Sequence, residues 1–320
     1  YVRVLLEYFS FKSPKEIKLP AEITDNKYFN LKYQSDALKK GLEIIKNHNG
    51  VIISDVVGLG KSIIASAIAY NLRKKTVIIA PPHLVDQWED YRYLFDFNAK
   101  VFSSGKIKET LKDDFNNEER LIIIDEAHKY RNELTRDYGF LHQLCQGNKV
   151  VLLTATPFNN RPQDIFSMIK LFQIPSKSTI QTVDNLSYQF RDLIIEYKKI
   201  QKEQRESTIA ESEVTQRISA LSDKIRDIIS PIMIRRSRID LETIQEYRED
   251  LELQNISYSK VNDPILQEYD LGEISELYLE TLEEISSEDE KNGLIGARYK
   301  PVLYLKNFNK YKDKITKEFG

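Results

Sequence analysis

The sequence predicts an α/β fold in which a parallel β-sheet is flanked by helices and followed by a helical region. Short runs of apolar, mostly β-branched residues occupy 51–54, 76–81, 121–125 and 149–155. Stretches with helical spacing separate these runs, which is typical of parallel strands joined by helical crossovers. We expect the chemistry of such a sheet in the loops at the carboxyl ends of its strands.

Length, charge and cysteine content exclude several classes of protein. The chain has 320 residues, 41% of them hydrophobic, which is enough for a packed core in one large domain or two ordinary ones. Its 47 basic and 49 acidic residues give a net charge of -2, so any nucleic-acid contact must come from a local patch. The single cysteine, Cys145, excludes an intramolecular disulfide and favours a reducing compartment, so we expect a cytoplasmic protein. No apolar run is long enough to span a membrane, so no membrane partner is expected.

The first 30 residues show no clear secondary-structure pattern. Pro14 and Pro20 break the periodicity of residues 1–30, which are predicted to be a lead-in segment with little structure of its own. The chain does not start with Met, and we therefore expect it to be part of a longer protein.

A phosphate-binding loop is predicted directly after the first strand. Gly60, Lys61 and Ser62 match the end of the pattern G-x-x-x-x-G-K-[ST], whereas Asp55 stands where the pattern has its first glycine. Lys61 would reach the β- and γ-phosphates of a nucleotide, and Ser62 would supply a hydroxyl ligand to Mg²⁺. Glycines at 58 and 60 would let the backbone approach the anion closely. The alternative is a tight strand–helix turn with a surface lysine.

An acidic motif follows the strand at 121–125. Asp125 at the strand end can hold Mg²⁺, and Glu126 can orient and activate the attacking water in phosphoryl transfer. His128 would then lie near the γ-phosphate. Taken alone, His128 would rather be a half-buried histidine near the start of a helix. Together, the two motifs predict a nucleoside triphosphate hydrolase.

Two helices with coiled-coil spacing follow Pro175. Their apolar residues recur at steps of four and three, and they are Leu186, Phe190, Leu193, Tyr197 and Ile200, then Val214, Ile218, Leu221, Ile225 and Ile228. The polar stretch KEQREST separates the two helices, and Pro231 ends the second. The pattern predicts an antiparallel helical hairpin, with two ordinary core helices of a bundle as the alternative.

Several segments, in the correct order, resemble motifs of SWI/SNF-type ATPases of helicase superfamily two. SDVVGLGKS at 54–62 is similar to that family's D-E-x-G-L-G-K-T loop, and it gives Asp55 the place of the family's aspartate. Val56 for Glu and Ser62 for Thr are departures. The further similar segments are YQ at 33–34, VIIAPPHLVDQWEDY at 77–91, DEAHKYRN at 125–132, LLTATPFNNRPQDIF at 152–166 and IMIRRSRIDL at 232–241.

The resemblance implies a RecA-like lobe of the P-loop NTPase type, with an inserted helical hairpin and C-terminal helices. It places ATP and Mg²⁺ on the loop, with Gln34 reading adenine beside Asp55, Gly58 and Leu59. Thr154 and Thr156 would couple the acidic loop to the DNA side, and Asn159 and Asn160 continue that motif. Arg235 and Arg236 meet either phosphates or an acidic partner within the protein. Trp88 is expected in the core rather than on a ligand.

The domain organisation follows from the same motifs. We predict a RecA-like ATP-binding lobe at 31–175, a helical protrusion at 176–240, and a mostly helical linker at 241–320. The Q-x-x-G-R-x-x-R signature of a second RecA-like lobe does not occur after residue 240. Because an arginine from that lobe stabilises the transition state, this chain alone should bind ATP weakly and hydrolyse it very slowly.

Three functions are compatible with these motifs. The first is a translocase on double-stranded DNA, completed by a second lobe of the same protein. The segment ARYKPVLYLKN at 297–307 resembles bacterial members of the family, some of which carry a nuclease domain upstream. The second is a strand-separating DEAH-type helicase or the motor subunit of a restriction system. The third is a non-catalytic nucleic-acid-binding or assembly module. DNA would contact loops at 81–85, 103–106 and 156–160 through its backbone, independently of sequence.

Overall fold

The computed structural model describes residues 16–111, 118–157, 161–180, 185–206, 208–258 and 264–266. The chain divides into two compact units, Tyr1–Ser257 and Tyr258–Gly320. Everything reported below belongs to the first unit. Asn159, Asn160 and the stretch at 297–307 lie outside the described residues.

The centre of the fold is a six-stranded parallel sheet, which confirms the predicted fold class. The strands are β1 (Gly50–Ile53), β2 (Thr76–Ala80), β3 (Ala99–Ser103), β4 (Leu121–Ile124), β5 (Lys149–Leu153) and β6 (Met233–Ile234). Their order across the sheet is β3-β2-β4-β5-β1-β6. β6 is a strand of two residues that the sequence pattern did not predict, and it pairs with β1 after the chain returns from the helical protrusion.

Burial explains why the strands are continuous apolar runs. Every residue of β1, β2 and β4 is buried, as expected for a parallel sheet that is covered on both faces. The described helices that flank or follow the sheet are α1 (Pro20–Ile23), α2 (Lys32–His48), α3 (Lys61–Leu72), α4 (Val85–Leu94), α5 (Ile107–Thr110), α6 (Arg136–Cys145) and α7 (Pro162–Lys170). No helix among the described residues is long and apolar enough to cross a membrane.

The predicted hairpin is formed by α8 (Leu186–Arg205) and α9 (Glu211–Ile229). Arg217 pairs with Glu203, and Lys224 pairs with Glu196, so the two helices run antiparallel. All five apolar residues predicted for the first helix are buried. In the second helix Val214, Leu221 and Ile225 are buried as predicted, whereas Ile218 and Ile228 are half-buried. The buried series ends at Ile229, because a straight helix has 3.6 residues per turn and drifts out of a strict heptad.

The hairpin is also attached to the core of the lobe. The ring of Phe190 in α8 stacks on Phe166 in α7, with ring centroids 4.6 Å apart. The two predicted alternatives are therefore both partly realised, since α8 and α9 pair with each other and α8 also packs as a core helix.

Two short helices, α10 (Arg238–Thr243) and α11 (Gln245–Leu253), follow β6. α11 packs against the start of α2, where the backbone N–H of Lys32 donates to Asp250 at 2.7 Å and the ring of Tyr247 meets Tyr33 edge-on. The end of the unit thus lies beside the segment predicted to read adenine.

Candidate nucleotide-binding site

The loop after β1 has the backbone of an anion-binding loop. Gly58 and Gly60 have φ of 90° and 80°, a region that side chains other than glycine rarely adopt. Gly60 is the residue immediately before α3, so the free N–H groups of the first helical turn open onto the loop. Leu59 is fully buried and fixes the loop to the core, while Val56 and Val57 are exposed.

Two side chains that are predicted to bind the nucleotide instead form hydrogen bonds with the loop itself. The Lys61 ammonium donates to the backbone carbonyl of Asp55 at 2.9 Å. The Gln34 amide donates to the carbonyl of Leu59 and to the Tyr33 hydroxyl, each at 3.2 Å. A nucleotide would have to replace these contacts. Ser62 is half-buried in the first turn of α3, next to Lys61.

The Asp55 side chain has a different place from the one predicted. It is fully buried, and the guanidinium of Arg236 grips both of its carboxylate oxygens. Arg236 also donates to the Tyr33 carbonyl and lies over the Tyr33 ring, 5.1 Å from its centroid. A buried carboxylate that is already paired with a cation does not meet phosphate. We therefore correct the assignment of the Asp55 side chain from nucleotide ligand to anchor of the loop, and Arg236 follows the ion-pair alternative.

Asp125 lies at the end of β4 and is 8% exposed. One carboxylate oxygen accepts the Trp88 indole N–H at 2.9 Å, and the other accepts the backbone N–H of Glu126 at 2.9 Å. Burial raises the pKa of this carboxyl, and the two hydrogen bonds oppose that effect. Trp88 is buried as predicted, but its hydrogen bond also makes it a neighbour of the site.

The residues after Asp125 form a chain of contacts toward the loop after β5. Glu126, in the left-handed region with φ of 52°, carries its carboxylate 3.1 Å from His128 Nδ1. The same nitrogen lies 3.4 Å from Thr154 Oγ1, and Thr154 Oγ1 accepts the backbone N–H of Thr156 at 3.2 Å. The structure thus joins Glu126, His128, Thr154 and Thr156 in one chain of contacts directly after Asp125.

The acidic site suits a hard divalent cation. Among the described residues Asp125 forms no direct ion pair, and both of its hydrogen bonds come from neutral N–H donors. The Lys61 ammonium acts on the carboxylate only through its electrostatic field. The described part of the chain holds no cluster of three or more His, Cys, Asp or Glu side chains that could form a closed metal cage. A single carboxylate and the Ser62 hydroxyl, completed by water and phosphate oxygens, is the donor set that Mg²⁺ takes in nucleotide sites.

Three contributors to the site were missed or undervalued in the sequence. Arg236 and Trp88 anchor the two motifs, and Arg238 Nη2 lies 3.9 Å from where a Cβ on Gly58 would be. The sequence does not indicate which arginine of the pair Arg235–Arg236 points into the protein. The loops predicted to meet DNA follow β2, β3 and β5, and parallel strands bring them to the same edge as the phosphate loop.

An α/β lobe with a phosphate loop after β1 and an acidic pair after β4 is a RecA-like P-loop nucleotide-binding domain. Residues 91–287 match the sequence model of the SNF2-related domain, and this chain belongs to that family. The predicted SWI/SNF resemblance is thereby confirmed. The phosphate loop precedes the matched segment, so its assignment rests on its own sequence and geometry.

The names of similar curated proteins are consistent with this family assignment. Over 162 residues, 42% of this chain and 28% of the relative, the chain is 33% identical to "Uncharacterized ATP-dependent helicase YqhH" of Bacillus subtilis (strain 168). It is 23% identical to "Chromodomain-helicase-DNA-binding protein 1-like" of Danio rerio over 242 residues, 65% of this chain and 21% of that protein. The chain therefore spans well under a third of either relative.

A solved structure supports the fold. The "Sulfolobus solfataricus SWI2/SNF2 ATPase core in complex with dsDNA" superposes with a TM-score of 0.50 at 19% identity. The match covers 72% of this chain and 49% of that chain. At this level of identity the likeness establishes the RecA-like architecture.

Proposed function

We propose that this chain is the first ATP-binding lobe of a DNA-dependent ATPase that moves along duplex DNA once a second RecA-like lobe completes the site. The observation that carries this proposal is the convergence, at one edge of the sheet, of the loop holding Lys61 with the Asp125–Glu126 pair. The curated relatives named as ATP-dependent helicases support ATP as the nucleotide. We also propose a cytoplasmic location, because the single cysteine suits a reducing compartment.

Each residue of the site has a role in this proposal. Lys61 leaves the Asp55 carbonyl to bind the β- and γ-phosphates, while the loop N–H groups hold the phosphate oxygens. Asp125 and Ser62 would hold Mg²⁺, which would neutralise charge on the phosphates. Glu126 orients the attacking water, and its contact with His128 links it to Thr154. Gln34 reads adenine after it leaves the Leu59 carbonyl, because a carboxamide offers one donor and one acceptor edge.

Duplex DNA is the proposed nucleic-acid partner. The structural neighbour that was solved with double-stranded DNA supports this choice. Contacts would fall on the loops after β2, β3 and β5, where His83, Lys106 and Thr156 are exposed. Arg235 is exposed beside the buried Arg236 and is a further candidate for a phosphate contact. Such binding should be insensitive to sequence and weaken steeply with salt.

Calorimetric titration with ATP and ADP, together with steady-state hydrolysis with and without duplex DNA, tests the proposal. The chain should bind nucleotide weakly, Lys61→Ala should abolish that binding, and turnover should be very slow without a second lobe. A matched control is Lys224→Ala, which removes a cation of the hairpin that pairs with Glu196. Equal nucleotide binding by wild type and Lys61→Ala would refute the site. Robust turnover by the chain alone would refute the need for a second lobe.

Strand separation is the alternative activity, and the helicase names of the relatives favour it. A protein with both lobes should translocate along duplex DNA without displacing a strand. Displacement of an annealed oligonucleotide at the rate of ATP hydrolysis would favour the helicase alternative.

A further inference from the structure

The indole of Trp88 is a buried group whose only polar atom is directed at the acidic motif. The side chain is 1% exposed, and its N–H donates to Asp125 Oδ2 at 2.9 Å. A buried tryptophan N–H is a donor that must find an acceptor. Here the acceptor is the carboxylate at the end of β4, 37 residues along the chain.

Aromatic neighbours hold the indole in place. Tyr91, one turn further along α4, meets the Trp88 ring edge-on with centroids 5.7 Å apart. Tyr91 in turn contacts Phe95 and Tyr28, and Tyr28 stacks on Phe95 at 5.6 Å. α4 also packs against β2 and β3. The donor therefore sits on a rigid support, which lets it fix the direction of a flexible carboxylate.

Both oxygens of the Asp125 carboxylate accept a hydrogen bond, and both can still bind a further ligand. The Trp88 indole takes one oxygen and the Glu126 backbone N–H takes the other, and each oxygen retains a second lone pair. Neither donor is charged, so neither competes with a cation as a guanidinium or ammonium group would.

From this geometry we infer that Trp88 is a positioning residue for the Mg²⁺-binding carboxylate of Asp125. The inference rests on the proposed function, because it takes Asp125 as a metal ligand. It adds that the helix beginning at the 81–85 loop sets the orientation of that ligand through one hydrogen bond. A tryptophan that only filled the core would affect stability without affecting the response to metal.

The test compares ADP binding with and without Mg²⁺, by calorimetry on the 320-residue chain. Trp88→Phe keeps an aromatic ring and removes the N–H donor. It should weaken ADP binding about tenfold when Mg²⁺ is present, the loss typical of removing a hydrogen-bond partner of a metal ligand, and leave Mg²⁺-free binding unchanged. Tyr138→Phe is the matched control, because it removes a buried hydrogen bond to the Ser167 carbonyl and should leave both affinities unchanged.

The outcomes separate this inference from the proposed function. If Asp125→Asn abolishes the effect of Mg²⁺ while Trp88→Phe retains it in full, Trp88 is not a positioning residue and the metal site stands. If wild-type ADP binding does not respond to Mg²⁺, the metal site itself is refuted. Loss of binding in Trp88→Phe with and without Mg²⁺ alike would also overturn the inference, because the defect would be structural.

Fluorescence provides a second measurement that needs no substitution at Trp88. The chain contains one tryptophan, so its emission reports this position alone. Mn²⁺, a quencher at short range, should quench the emission in the presence of ADP. The effect should be lost in Asp125→Asn, which keeps an acceptor for the indole. Equal emission with and without bound Mn²⁺ would show that the metal does not lie beside the indole and would overturn the inference.

Discussion

Asp55 and Arg236 form a buried ion pair that joins the phosphate loop to the segment leaving the helical protrusion. Both oxygens of the Asp55 carboxylate accept from the guanidinium, and 181 residues separate the partners in sequence. The backbone supports the same junction, since the Ser54 and Val56 N–H groups donate to the carbonyls of Ile234 and Arg236. The shape of the nucleotide loop therefore depends on the return of the chain from the hairpin.

Removing one partner of this pair should destabilise the fold strongly. Asp55→Asn or Arg236→Gln leaves an uncompensated buried charge, for which we expect a loss of about 3–5 kcal/mol in the free energy of unfolding. The double variant should lose less than the sum of the single variants, because neither charge is then left alone. Urea denaturation measures all three. Arg226→Gln is the control, since its pair with Asp223 is exposed and should contribute about 0–1 kcal/mol.

A methyl group at Gly60 should damage the phosphate loop more than a methyl group at an unrelated turn. Both Gly60 and Gly147 have positive φ, so alanine at either costs about 1–2 kcal/mol. A Cβ on Gly60 would also lie 2.4 Å from Gln34 Nε2, whereas nothing lies within 4 Å at Gly147. Gly60→Ala should therefore lose more stability than Gly147→Ala and also lose nucleotide binding.

A double variant tests the origin of that difference. Adding Gln34→Ala to Gly60→Ala removes the side chain that the new methyl group meets, so part of the stability lost in Gly60→Ala should return. Denaturation midpoints that are equal for Gly60→Ala and Gly147→Ala would contradict the described contact between Gln34 and the loop.

The thiol of Cys145 should make the fold less stable at alkaline pH. The side chain is buried, and burial raises its pKa well above the ordinary value of 9.0. Above the unfolded pKa the unfolded chain releases a proton that the folded chain retains, so stability falls as pH rises. The contribution of one such group is at most about 1.4 kcal/mol per pH unit.

Comparing wild type with Cys145→Ala between pH 8 and 10.5 isolates this contribution, because the variant should show the shallower decline. The same burial predicts that an aromatic disulfide reagent reacts with Cys145 only after unfolding. Rapid reaction in native buffer would show that the thiol is accessible.

The motifs could be predicted from the sequence because each is local. The loop at 54–62 and the LIIIDEAH strand carry their spacing within a few residues, and the hairpin carries its own periodicity. The contacts that support the site could not be predicted, because they join distant segments. Nothing near Asp55 indicates Arg236, and nothing near Trp88 indicates Asp125. The inward turn of Gln34 likewise depends on the carbonyl of Leu59 in a folded loop.

Thr154 should transmit the presence of DNA to the acidic motif. Its buried hydroxyl lies between His128 and the backbone of Thr156. Thr156 is exposed at the proposed DNA side, and His128 contacts Glu126. In the protein with both lobes, Thr154→Val keeps the shape of the side chain and removes the link. We expect stimulation of ATP hydrolysis by duplex DNA to fall about five- to tenfold, while basal hydrolysis and ATP affinity change little. Thr110→Val is the control, because it also removes a buried threonine hydroxyl, which here donates to the Ile107 carbonyl outside this network. An equal fall in basal and stimulated rates would assign Thr154 to the chemistry itself, and unchanged stimulation would mean that the coupling follows another route.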